Sequence, residues 1–253
     1  MAPALIELVQ VTDTVHLART HLVNWAVVID GAGVLLIDTG FPGQRAEVLA
    51  SLRRLGADVG DVTAILLTHA HVDHFGTAIW LAAEYGIPVY CHADEVDHAK
   101  RRYLEQVSPT AVARHLLQPR WLRWTADIAR QGAFVRAGIP TTQPLTTEVA
   151  ASLPGAPIAI PTPGHTGGHC SYLVDGVLVS GDALVTGHPT TGHRGPQLLH
   201  QVFNHDEQNC VRSLGALALL ETDVLLPGHG EVWRGPISDL ARRATPTGSA
   251  ASR

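Results

Sequence analysis

The chain has 253 residues, 45% hydrophobic and 16% charged, the balance of a globular protein with a real core rather than of a disordered or fibrous one. Eighteen Lys and Arg stand against 23 Asp and Glu, a formal net charge of −5, so no basic surface is advertised and nucleic acid is a poor default partner. Three cysteines, Cys91, Cys170 and Cys210, lie far apart without CxxC spacing, which argues against a disulfide framework; Cys91 and Cys170 fit small buried hydrophobes.

The first ten residues, "MAPALIELVQ", lack a basic segment followed by an apolar run, so they do not read as a secretory signal. No stretch approaches the ~18 consecutive apolar residues of a membrane helix. The expectation is a soluble cytoplasmic protein that acts on a small molecule, with no membrane or nucleic-acid partner and with homo-oligomerisation left open.

In chain order, "LVQVTDTVHLA" and "NWAVVID" are β-branched strand runs, and "VLLID" follows the turn "DGAG". "RAEVLASLRRLG" predicts a helix with Val48, Leu49, Leu52 and Leu55 on one face and Gly56 as its stop. "AILLT" (64–68) is a short buried strand, "TAIWLAAEYG" a helix ending at Gly86, and "IPVYCH" another strand. The texture changes from about Ala93 to Thr147: arginines and Trp121 and Trp124 sit on helical segments, and Pro119 breaks the run. This helical insert reads as an amphipathic cap with solvated arginines, placed so that Trp121 or Trp124 shapes a substrate wall. Strands then return as "PIAIPTPGH", the hairpin "SYLVDGVLVSGD" turning at Asp175-Gly176, and "DVLLPGHG", with a helix near "NCVRSLGALALL" between the last two. Residues 1–243 are expected to form one domain, and 244–253 a small, polar, disordered tail. Alternating β and α segments in both halves give an α/β layered sandwich.

A rule recurs along these strands. A metal-capable residue follows each apolar run: Asp38 after "VLLI", His69 after "AILLT", His165 after "IAIPTPG", Asp182 after "VLVSG", His229 after "VLLPG". The densest instance is "THAHVDH". In an extended segment, residues two apart point the same way, so His69 and His71 can grip one ion while Asp73 and His74 face a second. His165 would complete the first site, His229 the second, and Asp182 would link both. Imidazole and carboxylate without thiolate suit two divalent ions, zinc first, with iron or manganese open.

With "THAHVDH", "PGHTGGH", "SGD", "LPGHG" and the upstream "LIDTG", the chain resembles the metallo-β-lactamase-fold hydrolase superfamily, of the glyoxalase II or lactonase kind, from about Thr14 to Trp233. The resemblance implies an αβ/βα four-layer sandwich with the metals at one edge between two sheets, interrupted here by the helical insert. It assigns His69, His71 and His165 to one metal and Asp73, His74 and His229 to the other, with Asp182 bridging. Asp38 orders the metal-binding loop from behind rather than binding metal. Two cations roughly 3.5–4 Å apart would acidify a shared water and polarise the substrate carbonyl, with Asp73 moving the proton.

The substrate is not named by these motifs. The N-terminus and the intact Asp73-His74 pair argue against a true β-lactamase. The 23 residues after "LPGHG" are too few for the helical domain of a full glyoxalase II. No tyrosine follows Tyr172, where a quorum-quenching lactonase usually places one near its site. The expected function is hydrolysis of a small-molecule ester, thioester or lactone. An iron persulfide dioxygenase of similar fold is the alternative, and a β-lactamase or a nuclease of that fold are further ones. Of the remaining histidines, His169 is expected to support the site from behind. One histidine of "TGHPTTGHRGPQLLHQVFNHD", His193 among them, is expected to reach the substrate.

Overall fold

The computed structural model describes residues 6–245. The first sheet runs in chain order: β1 (Glu7–Gln10), β2 (Val15–Arg19), β3 (Asn24–Asp30), β4 (Gly33–Ile37), β5 (Val62–Leu66), β6 (Val89–Cys91) and β7 (Gln143–Pro144). Hairpin-linked β1 to β4 pair antiparallel, whereas β4 to β7 pair parallel, because helical crossovers join them. The second sheet has the order β12-β11-β10-β9-β8, from β8 (Ile158–Pro161), β9 (Cys170–Val174), β10 (Val177–Gly181), β11 (Val224–Pro227) and β12 (Trp233–Arg234). Its Asp175-Gly176 hairpin is as expected, with both residues at positive φ (48° and 72°).

Period-two alternation sorts the strand residues into layers. Ala26, Val28, Leu35, Ile37, Ala64 and Leu66 face the second sheet and pack on Tyr172, Val174, Val177, Val179 and Leu226. Their neighbours Trp25, Val27, Val34, Leu36 and Ile65 face the other way, onto α1 (Arg45–Arg54) and α2 (Val72–Tyr85). Leu178 and Leu225 point outward from the second sheet. The helices of the second half begin with α6 (Thr147–Ser152), after the three of the insert; α7 (Glu207–Leu217) and α8 (Ile237–Ala244) then cover Leu178 and Leu225. The result is the expected αβ/βα four-layer sandwich. Among the described residues no helix is long and apolar enough to cross a membrane.

Several local expectations shift. The "LVQVTDTVHLA" run is two strands, split by a bend at residues 12–14. On α1 the buried residues are Glu47, Val48, Ser51 and Leu52, since Ser51 Oγ accepts the Trp25 indole N–H at 3.2 Å; Leu49 and Leu55 are half-buried. α2 starts directly after His71, five residues earlier than its apolar run, and ends at Gly86 in the left-handed region (φ 67°). The insert holds α3 (Val96–Ala99), α4 (Pro109–Ala113) and α5 (Pro119–Arg130), but also the strand β7, which pairs with β6. Pro119 opens α5 at its first turn, where a missing N–H costs nothing. Of the expected tail, Ala244 closes α8 and residues 246–253 lie outside those described.

Candidate metal centre

The strand-end rule translates into one cluster. Asp38 follows β4, His69 and His71 follow β5, Asp73 and His74 form the first turn of α2, and His165, Asp182 and His229 follow β8, β10 and β11. The two sheets are tied together beside it: Cys170 N–H donates to the Thr68 carbonyl at 2.9 Å, and the Tyr172 hydroxyl to the Leu67 carbonyl at 2.9 Å. Asn24 Nδ2 donates to the carbonyls of Pro227 and Gly230, each at 3.0 Å, and so clamps the loop that carries His229.

Five imidazoles converge, and their outer ring nitrogens decide how the inner ones present themselves. His71 Nε2 donates to the Glu105 carbonyl (2.5 Å) and His229 Nδ1 to the Leu22 carbonyl (2.6 Å). His74 Nδ1 donates to Asp38 Oδ2 (2.8 Å). His165 Nδ1 faces Asn204 Oδ1 (3.1 Å), whose amide nitrogen is turned to Glu207. His69 Nδ1 meets Thr68 Oγ1 (3.0 Å), a hydroxyl whose own proton goes to Asp38 Oδ2 (2.7 Å). With every outer nitrogen facing an acceptor, the inner nitrogens offer lone pairs. His71 Nδ1 lies 3.1 Å from His69 Nε2 and 2.9 Å from His165 Nε2. Three lone pairs so close repel one another unless a cation sits between them, and ligand distances of roughly 2.0–2.1 Å place tetrahedral donors about that far apart.

The carboxylates complete two further groups. Asp182 Oδ1 is 3.4 Å from His74 Nε2, and its Oδ2 is 3.3 Å from both His165 Nε2 and His229 Nε2. Asp73 Oδ2 lies 3.5 Å from His229 Nε2 and 3.7 Å from His74 Nε2. The ligand-type atoms thus gather as His69-His71-His165, His69-His74-Asp182 and Asp73-His74-His229. His74 Nε2 and Asp182 Oδ1 are buried without a hydrogen-bond partner, an arrangement that costs about 1–3 kcal/mol per group unless an ion satisfies it. The residues present fit a divalent cation pair.

Electrostatics agree. Burial and neighbouring rings hold His69 and His71 well below the usual imidazole range, and burial also lowers His165, so these three stay neutral. Burial opposes charge on His74 and His229 too, but Asp182 and Asp73 outweigh it and raise both, His229 to about 9. The same pairs hold both carboxyls low against burial. The two carboxylates thus favour positive charge on this side of the cluster, the charge that a divalent cation would supply.

A supporting shell surrounds the cluster. Asp38, at φ 62°, accepts from Thr68 N–H (2.9 Å) as well as from the Thr68 hydroxyl and His74. His169 lies behind the Asp182 backbone: its Nε2 accepts the Asp182 N–H at 3.1 Å, and burial lowers it to about 3. A Cβ on Gly228 would meet Asp182 Oδ1 at 2.3 Å, so only glycine lets the "LPGHG" loop pass. Glu95 went unread in the sequence. Fully buried, it accepts from Ala70 N–H (2.8 Å), Thr166 Oγ1 (2.8 Å) and Gly168 N–H (3.1 Å) and pairs with His98 (2.7 Å), fastening the His69-His71 loop to the His165 loop. Burial would raise this carboxyl, yet those bonds hold it below its ordinary value. Glu95 follows β6 just as the ligands follow their strands, so the strand-end rule itself could have found it.

Two expectations about the pocket wall change. His193 is exposed in an outer cleft and does not join the cluster; His188 does, with its ring 4.8 Å from that of His229. Trp124 lines the pocket over the cluster, together with Phe41, Val72, Phe203 and His188. Trp121 stands behind it, stacked between His115 (4.3 Å) and Phe203 (5.4 Å). Both indoles are buried.

A four-layer sandwich with such a cluster at the edge between its sheets defines a class, the metal-dependent hydrolases of this architecture. The model of the metallo-beta-lactamase superfamily matches residues 18–229. The chain belongs to that superfamily. It is 28% identical to "Probable metallo-hydrolase YflN" of Bacillus subtilis, over 91% of this chain and 89% of that protein. It is 31% identical to a hydroxyacylglutathione hydrolase of Alkalilimnicola ehrlichii, over 74% of this chain and 54% of that one. BJP-1, a subclass B3 metallo-beta-lactamase of Bradyrhizobium japonicum, superposes with a TM-score of 0.63 over 95% of this chain and 91% of that one; at 19% identity this likeness is one of fold.

Proposed function

We propose that the chain is a dinuclear metal-dependent hydrolase of a small-molecule ester, thioester or lactone. The observation that carries this reading is the set of five inner imidazole nitrogens, each with its outer nitrogen facing an acceptor, closing on the orphaned Asp182 Oδ1. His69, His71 and His165 would hold one ion, Asp73, His74 and His229 the other, and Asp182 would face both. When bound, such a pair of cations supplies Lewis acidity, making water a nucleophile near neutral pH and polarising a carbonyl.

The chain's own groups do the rest. Asp182 keeps 3% side-chain exposure and is spent on holding charge, whereas Asp73 keeps 21% and faces the cleft. Asp73 is therefore the carboxylate that would accept a proton as water adds to the carbonyl carbon and return it to the leaving group. Phe41, Val72, Trp124 and Phe203 restrict bulk water around it. The Asp73-His74-His229 group favours two metals over the single iron of a dioxygenase, which needs only the His69, His71 and Asp182 side. A hydroxyacylglutathione is a thioester, so the relative named for its hydrolysis falls within the proposed substrate class. Zinc is the first choice of metal, with iron and manganese compatible with the donors. The reading is tested by elemental analysis of the purified protein joined to turnover of ester, thioester, lactone and β-lactam panels. Less than one equivalent of transition metal after reconstitution would remove its basis.

A further inference from the structure

The pocket over the cluster is small, about 60 Å³, and a larger cavity lies against it. Gln106, Val107, Trp124, Ile128 and Ala133 line it and also line a second cavity of about 510 Å³ inside the insert, between α4 and α5. Eleven of the sixteen residues around that second cavity are apolar, Val112, Leu116, Phe134 and Val135 among them. On the other side of Trp124 lies a cleft of opposite character, about 660 Å³, where Arg19, Arg120, Arg123 and Arg194 stand with Asp127 and Glu231. Trp124 thus stands between a charged space and an apolar one, and it also lines the pocket over the metal centre.

The insert also carries an anomaly of exposure. Of nine exposed large hydrophobics among the described residues, six belong to it: Tyr103, Leu104, Leu117, Leu122, Phe134 and Val135. Leu104, Phe134 and Val135 of these line the cavity, where they are 43%, 70% and 37% exposed. Exposed apolar surface concentrated at the mouth of a cavity of ligand size marks a binding site more readily than a packing surface.

We propose that the cavity in the insert takes an unbranched apolar chain borne on one side of the scissile bond, so that the substrate is a long-chain ester, thioester or lactone rather than a small polar one. This rests on the hydrolytic reading above and names its substrate class. Water adds to the carbonyl carbon, the C–O or C–S bond breaks, and the leaving oxygen or sulfur takes up the proton, with no oxidant or reductant involved. The chain enters past Val107 and Ile128, where apolar contact replaces water, while the carbonyl stays at the metals.

The test uses the zinc-loaded full chain. Two series are compared: thioesters of one small thiol from acetyl to dodecanoyl, and acetate esters of alcohols from ethanol to dodecanol. In one of the two, kcat/KM should rise roughly two- to fourfold per added methylene until the cavity is full, and that series identifies the side that carries the chain. Calorimetric titration with dodecanoate, below its micellar concentration, reads the same site without chemistry and should show binding at least tenfold tighter than with hexanoate. Leu116→Glu and Val112→Trp, which charge or fill the cavity, should abolish both dependences, and the wild-type series stand even if a variant fails to fold. Flat series alongside turnover of short esters would overturn the chain site and leave the hydrolase standing. Chain-length-dependent dodecanoate binding without turnover of any ester would sink the hydrolase and keep the chain site. Neither binding nor length dependence would end the proposal.

Discussion

Replacing Asp38 separates what holds the fold from what aims a ligand. Its carboxylate is buried and accepts three hydrogen bonds, from Thr68 N–H, Thr68 Oγ1 and His74 Nδ1. Asp38→Ala leaves three donors short of an acceptor at about 1–3 kcal/mol each, and it puts alanine at φ 62° for roughly 1 kcal/mol more. Water can reach some of these groups once the side chain is gone, so the net loss should be about 3–5 kcal/mol, a large share of the ~5–15 kcal/mol typical of a domain. Asp38→Asn tolerates the left-handed backbone and keeps the Thr68 N–H bond, so it should lose only about 1–2 kcal/mol. It presents an amide N–H to His74 Nδ1, however, which turns the ring to the tautomer with its proton on Nε2. The lone pair meant for the cation is then lost, and affinity for the second ion should fall about 10–100-fold. Urea unfolding of chelator-treated protein gives the first quantity and zinc stoichiometry against a buffered zinc series the second. An Asn variant that binds two ions with wild-type affinity would refute the idea that Asp38 aims His74.

Asp182→Ala should be the most damaging ligand change, costing bound metal at both positions by elemental analysis, because its oxygens reach His74, His165 and His229 together. His71→Ala and His229→Ala should each lower turnover by orders of magnitude, and comparable kcat values for either variant and wild type would contradict a two-ion reaction. Glu95→Ala should cost several kcal/mol in urea unfolding and lower metal affinity too, since the loops of His69-His71 and His165 lose their common anchor. Burial pushes the thiols of Cys170 and Cys210 up to about 12 and that of Cys91 higher still. These acids have native pKa values raised above about 9, so their contribution is whole below pH 9 and is lost as pH rises through the native values. Unfolding midpoints should fall above that pH, and a thiol reagent should label all three cysteines only after unfolding.

The cluster was legible because its chemistry is local. Seven ligand-type residues follow four strand ends, those of β5, β8, β10 and β11, and "THAHVDH" packs four of them into six positions. The layers were legible for the same reason, since alternation such as Leu35 in, Leu36 out, Ile37 in is written residue by residue. The supporting shell was not, because its members meet only in three dimensions. Asn204 reaches His165 from a loop that returns after β10, and the Glu105 carbonyl meets His71 from inside the insert. His188 rather than His193 approaches His229, a choice set by how that loop folds back and not by composition. The early start of α2 hid for a different reason: His71 opens the helix without a side-chain cap, leaving Asp73 in the first turn as the one local hint. The strand β7 is two residues long and exists through its pairing with β6.

The most direct test of the central claim is turnover of an ester or thioester by zinc-loaded protein under anaerobic conditions. Two ions held by His69, His71, Asp73, His74, His165, Asp182 and His229 predict full activity with about two equivalents of zinc and no oxygen consumed. Turnover that appears only with iron and oxygen, and that survives His229→Ala, would contradict the hydrolytic account and assign the same fold to oxidation.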